Sequence, residues 1–585
     1  METITTDVLV VGAGPAGLTA ASLLARSGVD ALTVTKYGTA NSPRAHITNQ
    51  RAVEVMRDLG IEQRVQARAL PHHLMGKQVF ATSFAGRELS RMMTWGTGDD
   101  RIGEYRAASP TEMCNAPQHI LEPIMLDRAR ELGADVRLHH EVISVRPDAD
   151  GVTTRVRPRH GAPEFEVRSA YVIGCDGART VVGRDGGFEF EGEGGKGNAV
   201  TVWIEADLSA YTAHRSGALF VTVTPDSQDL VSVWTCIEPW TEWSTIFIRE
   251  GMAPNDLDES AVIASIRAAI GDDDVEVSVK HVSPWEFNHL VATGYRRGRL
   301  FIAGDAAHRH PPANGLGSNT SIQDTYNLVW KLVLVLQGHA GDALLDSYDA
   351  ERRPVGRQVV DRANQSVDDM IAWFAPMGLA SGMTPTEVDD RLREVFGPGG
   401  DEHRAGLLAG LDLMNEQFNA HGVELGQHYR SDAVIDDGTP EPEPTRDPVL
   451  HYEPSTRPGR PLPHVWLTVD SDDVSTLDLC GYDRFTLLTG AGGGDWIAAA
   501  ATVSAELGVE VAGVAVSLGL DVNDVYGHWM RRREVADDGC VLVRPDRIVA
   551  WRSPGPVVDP TAVLRAVMKT LLARDEPDAA ENIRA

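Results

Sequence analysis

The stretch Val8-Leu9-Val10-Val11-Gly12-Ala13-Gly14-Pro15-Ala16-Gly17-Leu18 decides the fold of the amino-terminal part of the chain. The apolar run from Asp7 to Val11 predicts a short buried strand. The spacing of apolar residues from Leu18 to Arg26 predicts a helix directly after it, and Ala31 to Val34 predicts a second strand. A strand, a glycine-rich turn, a helix and another strand together form a β-α-β unit.

The glycines in this turn match the GxGxxG pattern of Rossmann-type folds. Gly12 permits the tight turn, Gly14 lets the backbone approach a pyrophosphate, and Gly17 allows the helix to pack closely on the strand. Ala16 lies in the same turn, and the free N–H groups at the start of the helix favour an anion. The pattern therefore predicts a dinucleotide site, and a glycine-rich turn without a ligand is the alternative.

The second strand lacks the acidic residue that usually holds a ribose hydroxyl in this fold, because it ends Val34-Thr35-Lys36. We expect Thr35 and Lys36 to border the cofactor, with the Thr35 hydroxyl making one hydrogen bond in place of the missing carboxylate.

Two later segments carry an aspartate at the end of an apolar strand. The first is "YVIGCDGART", which contains Asp176, and the second is "RLFIAGDAAH", which contains Asp305. The second continues as "RHPPANGLGSNT", where prolines and glycines precede a helical pattern. A carboxylate at such a position can hold a sugar hydroxyl, and the following backbone N–H groups favour an anion. An aspartate that only caps a strand is the alternative in each case.

Composition bounds the remaining possibilities. The chain has 585 residues, enough for two to four domains at ~100–200 residues each. Its formal net charge of −30 disfavours nucleic acid and anionic membrane surfaces as partners. The 5 cysteines are scattered and form no CxxC, so we expect neither a disulfide framework nor a metal site. With no signal peptide and no long apolar span evident, a cytoplasmic protein is expected.

The order and spacing of these three motifs resemble the single-component flavoprotein aromatic hydroxylases, the family of p-hydroxybenzoate and phenol hydroxylases. The segments "PRAHITNQRAVEVMRDLGI" (43–61) and "AGDAAHRHPPANGLGSNTSIQDTYNLVWKL" (303–332) are most similar to the 2,4-dichlorophenol 6-monooxygenase branch. "YDAERRPVG" (348–356) matches the family as well. The resemblance covers about residues 1–400, and residues from about 460 to 575 resemble the thioredoxin-like domain of phenol hydroxylases.

The resemblance implies an FAD-dependent monooxygenase that uses NADPH or NADH and O2 and hydroxylates a phenol-like ring through a flavin C4a-hydroperoxide. It implies FAD contacts from the glycine turn, from Arg44, from Gln118, and from Asp305 on the ribitol side. It places the reactive flavin edge against Pro312, Gly315, Leu316, Gly317, Ser318 and Asn319, and it assigns Asp176 to both FAD and NAD(P)H. The catalytic candidates are His46, Trp285, Asn288 and Pro312. His46 is expected as a base or hydrogen-bond partner, Trp285 and Asn288 are expected to shape the ring pocket, and Pro312 is expected to lie against the flavin. Structural roles for His46, Trp285 and Asn288 are the alternatives.

The expected fold class is α/β, with a Rossmann-type FAD-binding domain interleaved with an α+β substrate domain. We assign residues 1–80, 110–185 and 295–400 to the FAD-binding domain, and 81–109 and 186–294 to the β-sheet substrate domain. Residues 401–458, rich in Gly, Pro and acidic side chains, are expected to be a linker. Residues 459–585 are expected to form a thioredoxin-like domain that, lacking CxxC, has a structural or oligomer-forming role.

Three functions remain open on the sequence. The first is hydroxylation of a phenol, the second is the same chemistry on a larger aromatic or heteroaromatic intermediate of a natural-product pathway, and the third is a flavin-binding redox sensor or scaffold. A homo-oligomer is expected.

Overall fold

The computed structural model describes residues 2–225, 227, 229–249 and 258–574 of the chain. The last residues of the predicted carboxy-terminal domain, 575–585, lie outside this range. Within the described range, no helix combines the length and the apolar character needed to span a bilayer.

The strands, numbered along the chain, are β1 (Glu2–Val11), β2 (Ala31–Val34), β3 (Ile47–Thr48), β4 (Leu70–Pro71), β5 (Lys77–Ala81), β6 (Glu88–Met93), β7 (Cys114–Asn115), β8 (Asp135–Arg137), β9 (His140–Pro147), β10 (Val152–Pro158), β11 (Phe165–Gly174), β12 (Phe190–Glu205), β13 (Leu219–Val223), β14 (Val231–Glu238), β15 (Glu242–Arg249), β16 (Ser278–Ala292), β17 (Arg296–Arg297), β18 (Leu300–Ile302), β19 (His308–Arg309), β20 (Trp466–Val469), β21 (Asp472–Ser475), β22 (Phe485–Thr489), β23 (Val511–Ser517), β24 (Val522–Asn523), β25 (Cys540–Val543) and β26 (Val549–Ser553).

The α-helices are α1 (Pro15–Arg26), α2 (Gln50–Asp58), α3 (Glu62–Gln66), α4 (Ile102–Ala108), α5 (Gln118–Glu131), α6 (Val181–Asp185), α7 (Ser209–Thr212), α8 (Glu259–Ile270), α9 (Gly317–Leu336), α10 (Asp346–Phe374), α11 (Pro385–Phe396), α12 (Asp401–Phe418), α13 (His421–Leu425), α14 (Gly494–Leu507), α15 (His528–Arg532) and α16 (Pro560–Leu571).

The first sheet contains the predicted β-α-β unit. Strand β1 lies between β11 and β2, parallel to both, and β18 and β8 extend the parallel part on either side. Residues Val8 to Val11 are buried because helices cover both faces of a parallel sheet, as the unbroken apolar run predicts. Helix α1 packs against α9 and α5. The Rossmann-type arrangement predicted from the glycine turn is therefore present.

The second sheet has the strand order β19-β16-β12-β15-β14-β13-β5-β6. It contains the antiparallel strands expected between about 199 and 250, and it also recruits β5 from the first part of the chain. Side chains alternate between its two faces. One face packs on α8 through residues such as Val202, Phe220 and Ile266.

Residues 401–418 are not the loop that their glycine and acidic composition indicated. They form α12, which packs against α10. Leu407, Met414 and Phe418 are buried in a cluster with Trp373 of α10, and this apolar stripe supplies the burial that a linker would lack. The prediction of a linker was wrong for this stretch.

The carboxy-terminal part has its own sheet, in which β23, β22, β25 and β26 are neighbours in that order. Strand β22 runs parallel to β23 and antiparallel to β25, which pairs antiparallel with β26. Helices α14 and α16 pack on each other beside this sheet.

A buried network of charges joins this part to the rest. Arg544, between β25 and β26, donates to both oxygens of Glu351 on α10 at 2.6 and 2.9 Å, and to Asp546. Next to Glu351, Arg352 donates to Asp324 of α9, which accepts from the Gly304 N–H and bonds to His308. The carboxy-terminal part is therefore connected, through side chains that are fully buried, to the strand end that carries Asp305.

Candidate active site

A cavity of about 530 Å³ lies between the carboxyl end of the first sheet and one face of the second. Its first part is bordered by the glycine turn, by the segment around Arg44, by the start of α5 and by residues 303–318. Its second part is bordered by alternate residues of β12 to β16 and by α10 and α12. The two parts are continuous.

The three glycines of the turn have different roles. A Cβ atom on Gly12 would lie 2.1 Å from the carbonyl oxygen of Cys175, and one on Gly17 would lie 1.9 Å from the oxygen of Gly12. Both glycines are therefore required for packing, and neither borders the cavity. Gly14 and Ala16 do border it, and a Cβ on Gly14 would meet only the Glu122 side chain, at 4.0 Å.

The loop Pro311–Asn319, called the Pro-Pro loop below, forms the floor between the two parts. Pro312, Gly315, Gly317 and Ser318 border the cavity. Gly315 has φ +64, and a Cβ there would lie 2.8 Å from that of Ile47. Gly317 and Ser318 form the first turn of α9, whose cap has no side-chain hydrogen bond, so its first N–H groups are available to an anion.

Leu316 and Asn319 support this loop rather than border the cavity. Leu316 is buried among Val355, Val359 and Val423. The Asn319 amide donates to the oxygens of Ile47 and Gly315 and accepts from the Asn49 N–H, which fixes the Pro-Pro loop against the segment that carries His46. The side chains of Leu316 and Asn319 thus have a structural role, and contact of these two residues with the cofactor stays a prediction.

Arg44, Gln118 and Asp305, which are expected to contact FAD, border the cavity. The backbone N–H of Gln118, the first residue of α5, donates to the oxygen of Arg44, which places the two side by side. Asp305 is exposed to the cavity, and its backbone oxygen accepts from Arg309.

Thr35 and Lys36 lie outside the cavity lining, contrary to expectation. Lys36 is exposed and forms an ion pair with Glu141 at 2.8 Å, and Thr35 exchanges backbone hydrogen bonds with Arg137 and His140. The backbone at the end of β2 is thus paired with the neighbouring strand region.

Asp176 also departs from the expected cofactor contact. Its Oδ2 accepts from the N–H groups of Val181 and Val182 at 2.6 and 3.2 Å, so it holds the start of α6. Its Oδ1 is buried without a partner in the described structure, and burial raises the pKa of this carboxyl. Its neighbours Cys175 and Gly177 border the cavity, whereas Asp176 does not.

Two of the catalytic candidates, Trp285 and Asn288, lie on opposite faces of β16. His281, Ser283, Trp285 and Phe287 of β16 border the cavity, and the Trp285 Nε1 donates to Thr201 at 2.9 Å. Asn288 is three positions beyond Trp285, so it lies on the opposite face, where its amide donates to the Glu286 oxygen. Asn288 is therefore corrected from a pocket residue to a surface contact of the sheet.

His46 borders the cavity, and burial lowers its pKa to about 4, an effect that Asn115 partly offsets. Its Nδ1 atom is buried and has no hydrogen-bond partner in the part of the chain described. His310 also borders the cavity. Its pKa is lowered to about 4 by burial and by His308, and its Nδ1 donates to the Pro311 oxygen. Both rings are neutral at physiological pH.

Several lining residues carried no sequence signal. The second sheet contributes an apolar wall, with Trp203 beside it, made of Leu219, Val221, Val233, Ile246 and Ile248. Met370 of α10 and Met414, Gln417 and Phe418 of α12 form the opposite wall. Glu122, one turn after Gln118, is buried at the cofactor end. These residues come from distant segments, and only the fold brings them together.

The residues at the first part of the cavity fit FAD. Gly14 leaves open space beside a helix start, α1 and α9 both direct their first turns toward the cavity, and Arg44 supplies a positive charge. This donor set suits a pyrophosphate, and the apolar second part suits a ring beside it.

Comparison with known proteins agrees with this geometry. The FAD binding domain family matches residues 5–363, and the family of aromatic-ring hydroxylase C-terminal domains matches residues 455–574. The 2,4-dichlorophenol 6-monooxygenase of Delftia acidovorans is 44% identical, over 97% of this chain and 98% of that protein. The phenol 2-monooxygenase of Pseudomonas sp. (strain EST1001) is 41% identical, over 98% of this chain and 94% of that protein.

Solved structures are also similar over nearly the whole chain. The flavin-dependent monooxygenase PieE, in complex with FAD and substrate, has a TM-score of 0.94 at 46% identity, covering 98% of this chain and 100% of that one. Aklavinone-11 hydroxylase with FAD and aklavinone has a TM-score of 0.81 at 31% identity, covering 98% and 100%. The chain therefore belongs to the FAD-dependent aromatic-ring monooxygenases.

Proposed function

We propose that this enzyme hydroxylates a phenol-like ring, with NADPH or NADH as reductant and O2 as oxidant. The observation that carries the proposal is the continuity of the cavity. Residues suited to hold FAD border one part, and an apolar sheet face borders the other, with the Pro-Pro loop between them. A ring bound against the apolar residues would lie next to the cofactor, and a closed site of this kind would shield the reaction from water.

FAD, when bound, supplies the redox chemistry, and the protein binds, orients and shields the reactants. The apolar side chains of β13, β14 and β15 bury the ring, and Trp203 and Trp285 add aromatic surface at its edge. Gly14, Arg44 and the first turn of α9 hold the cofactor at the other end.

We propose that His46 is a hydrogen-bond partner of the substrate hydroxyl rather than a proton acceptor. Its pKa of about 4 is far below the ~10 of an unperturbed phenol. At about 1.4 kcal/mol per pKa unit, full proton transfer from such a phenol to His46 costs about 8 kcal/mol. A hydrogen bond from the hydroxyl to the neutral ring carries no such cost and enriches the ring in electrons.

The test is a panel of phenol, 2,4-dichlorophenol and a fused multi-ring phenol, with NADH and NADPH in separate assays. We expect NAD(P)H oxidation and O2 uptake to be stimulated by a phenol, and a product heavier by one oxygen atom. Oxidation that ignores every phenol and yields only hydrogen peroxide would instead support a redox sensor and refute the proposal.

A larger aromatic substrate is the second candidate. It is favoured by the width of the sheet face that borders the cavity, which runs across β12 to β16 and lies opposite α10 and α12. Aklavinone-11 hydroxylase, whose structure contains FAD and aklavinone, has a similar fold. A kcat/KM for the multi-ring phenol at least tenfold above that for phenol would favour this candidate.

We also propose that residues 459–574 form a thioredoxin-like domain. The order β23-β22-β25-β26, with β25 antiparallel to β22, supports this assignment. Cys480 and Cys540 are buried and lie far apart in sequence, which favours a structural role over thiol exchange.

A further inference from the structure

Strand β2 is followed by Thr35 and Lys36, so its end carries no carboxylate for the adenosine ribose. Lys36 is exposed and paired with Glu141, and neither Thr35 nor Lys36 borders the cavity. An FAD bound at Gly14 nevertheless brings two ribose hydroxyls that lose water on binding and require acceptors.

Glu122 lies where such an acceptor is needed. It is 5% exposed, borders the cavity, and faces Gly14, since a Cβ on that glycine would lie 4.0 Å from its Oε1. Its Oε2 accepts from the backbone N–H of Ala40 at 2.5 Å, in the segment that follows β2. The side chain from α5 therefore reaches the space between the glycine turn and the end of β2.

The two oxygens of Glu122 are used unequally. The hydrogen bond from Ala40 fixes Oε2, while Oε1 has no hydrogen-bond partner among the described residues. Burial raises the pKa of Glu122 to about 7, and the Ala40 N–H and the charge of Arg44 oppose that rise. A buried carboxyl with one free oxygen aimed at an open space is a hydrogen-bonding group that needs a ligand.

We propose that Glu122 accepts a hydrogen bond from the adenosine ribose of FAD and so replaces the strand-end carboxylate that β2 lacks. The role moves from the second strand to a helix, on the same face as Gln118 one turn earlier. This inference concerns cofactor binding alone and holds whichever ring the enzyme hydroxylates.

The test measures the Kd of the apoprotein for FAD by quenching of flavin fluorescence, without any aromatic substrate. Glu122→Ala is expected to raise the Kd about 10- to 100-fold, the range for a lost hydrogen bond to a charged group. Glu122→Gln keeps the size of the side chain and an acceptor for the Ala40 N–H, so it is expected to raise the Kd for FAD less, about fivefold. Glu141→Ala, beside Lys36 but outside the cavity, is the matched control and is expected to leave the Kd unchanged.

The decisive probe is an FAD analogue whose adenosine ribose is 2′,3′-dideoxy. If Glu122 binds that ribose, wild type and both Glu122 variants should bind this analogue with Kd values within about threefold of one another, because the shared hydrogen bond is absent in every case. An equal loss for FAD and for the analogue would assign Glu122 a purely structural role and overturn the proposal. An unchanged FAD Kd in both variants would overturn it as well.

Discussion

Arg544→Met is the substitution that most directly tests how the carboxy-terminal part is held to the enzyme. Arg544 is fully buried and makes two hydrogen bonds to Glu351 and two to Asp546. Methionine keeps much of the side-chain volume but has no donor. The substitution therefore leaves two buried carboxylates short of their cation, and burial of an unpaired charge is costly.

The expected loss in free energy of unfolding follows from the partners that Glu351 and Asp546 keep when Arg544 is replaced. Glu351 keeps Lys331 at 2.8 Å and also accepts from Asn327 and Ser431. Among the described residues, Asp546 keeps one hydrogen bond, from Asn327 at 3.2 Å. Removing one partner of a buried ion pair costs about 3–5 kcal/mol. For a cooperative unit of ~150–250 residues, this corresponds to a fall in Tm of roughly 6–20 °C.

Calorimetry of wild type and variants measures the effect. Arg544→Lys, which keeps the charge but loses the forked geometry, is expected to fall between wild type and Arg544→Met. Arg565→Met breaks the exposed pair with Glu506 in the same part of the chain, and it is expected to leave Tm unchanged. A Tm for Arg544→Met within 2 °C of wild type would show that the buried network does not hold the two parts together.

Three further outcomes are expected. Gly17→Ala should abolish FAD binding in a fluorescence titration although alanine favours helices, because its Cβ would lie 1.9 Å from the Gly12 oxygen. As a control, Gly103→Ala should bind FAD normally, because a Cβ at Gly103 would have no neighbouring atom within 4 Å. Because Gln417 borders the cavity, Gln417→Phe should lower kcat/KM for a multi-ring phenol more than for phenol, while the Kd for FAD stays constant. Asp412 is exposed on the same helix, so Asp412→Ala should change neither kcat/KM nor the Kd for FAD. Burial lowers the pKa of His421 and of His464 to about 3, below the ~6.5 of the unfolded chain, so the free energy of unfolding is highest above pH 6.5 and declines as pH falls toward 3. At pH 5 each histidine should lower the free energy of unfolding, measured in urea, by about 2 kcal/mol. The substitution His421→Gln should make this decline less steep.

The parts of the site that could be predicted from sequence are those encoded in one continuous segment. The glycine turn and the Pro-Pro loop carry their geometry locally, since Gly12 and Gly315 need positive φ and Pro312 fixes its own backbone. Even there, the sequence did not tell which residues face the cavity. Gly14 borders it, whereas Gly12 and Gly17 serve packing.

Asn288 was misplaced although the signal to place it was present. Strand residues an odd number of positions apart lie on opposite faces, so Trp285 and Asn288 could not both point into one pocket. Glu122 and Gln417 gave no such signal. Glu122 depends on its contact with Ala40, 82 positions away, and Gln417 reaches the cavity because α12 packs against α10. Composition misled for α12, where glycines and acidic residues concealed an apolar stripe.

The position of α12 explains how the cavity keeps its shape between two sheets. Asn314, in the Pro-Pro loop, has φ +64 and donates to the backbone oxygens of Glu416 and Gln417 at the end of α12, while its own oxygen accepts from Ser366 of α10. One side chain thus ties the loop beside the cofactor to both helices that close the substrate part. Because these bonds are made to backbone atoms, α12 can exchange its cavity-facing side chains without releasing the loop. We infer that ring selectivity can change at Met414, Gln417 and Phe418 while the cofactor end stays fixed, which separates the choice of substrate from the chemistry performed on it.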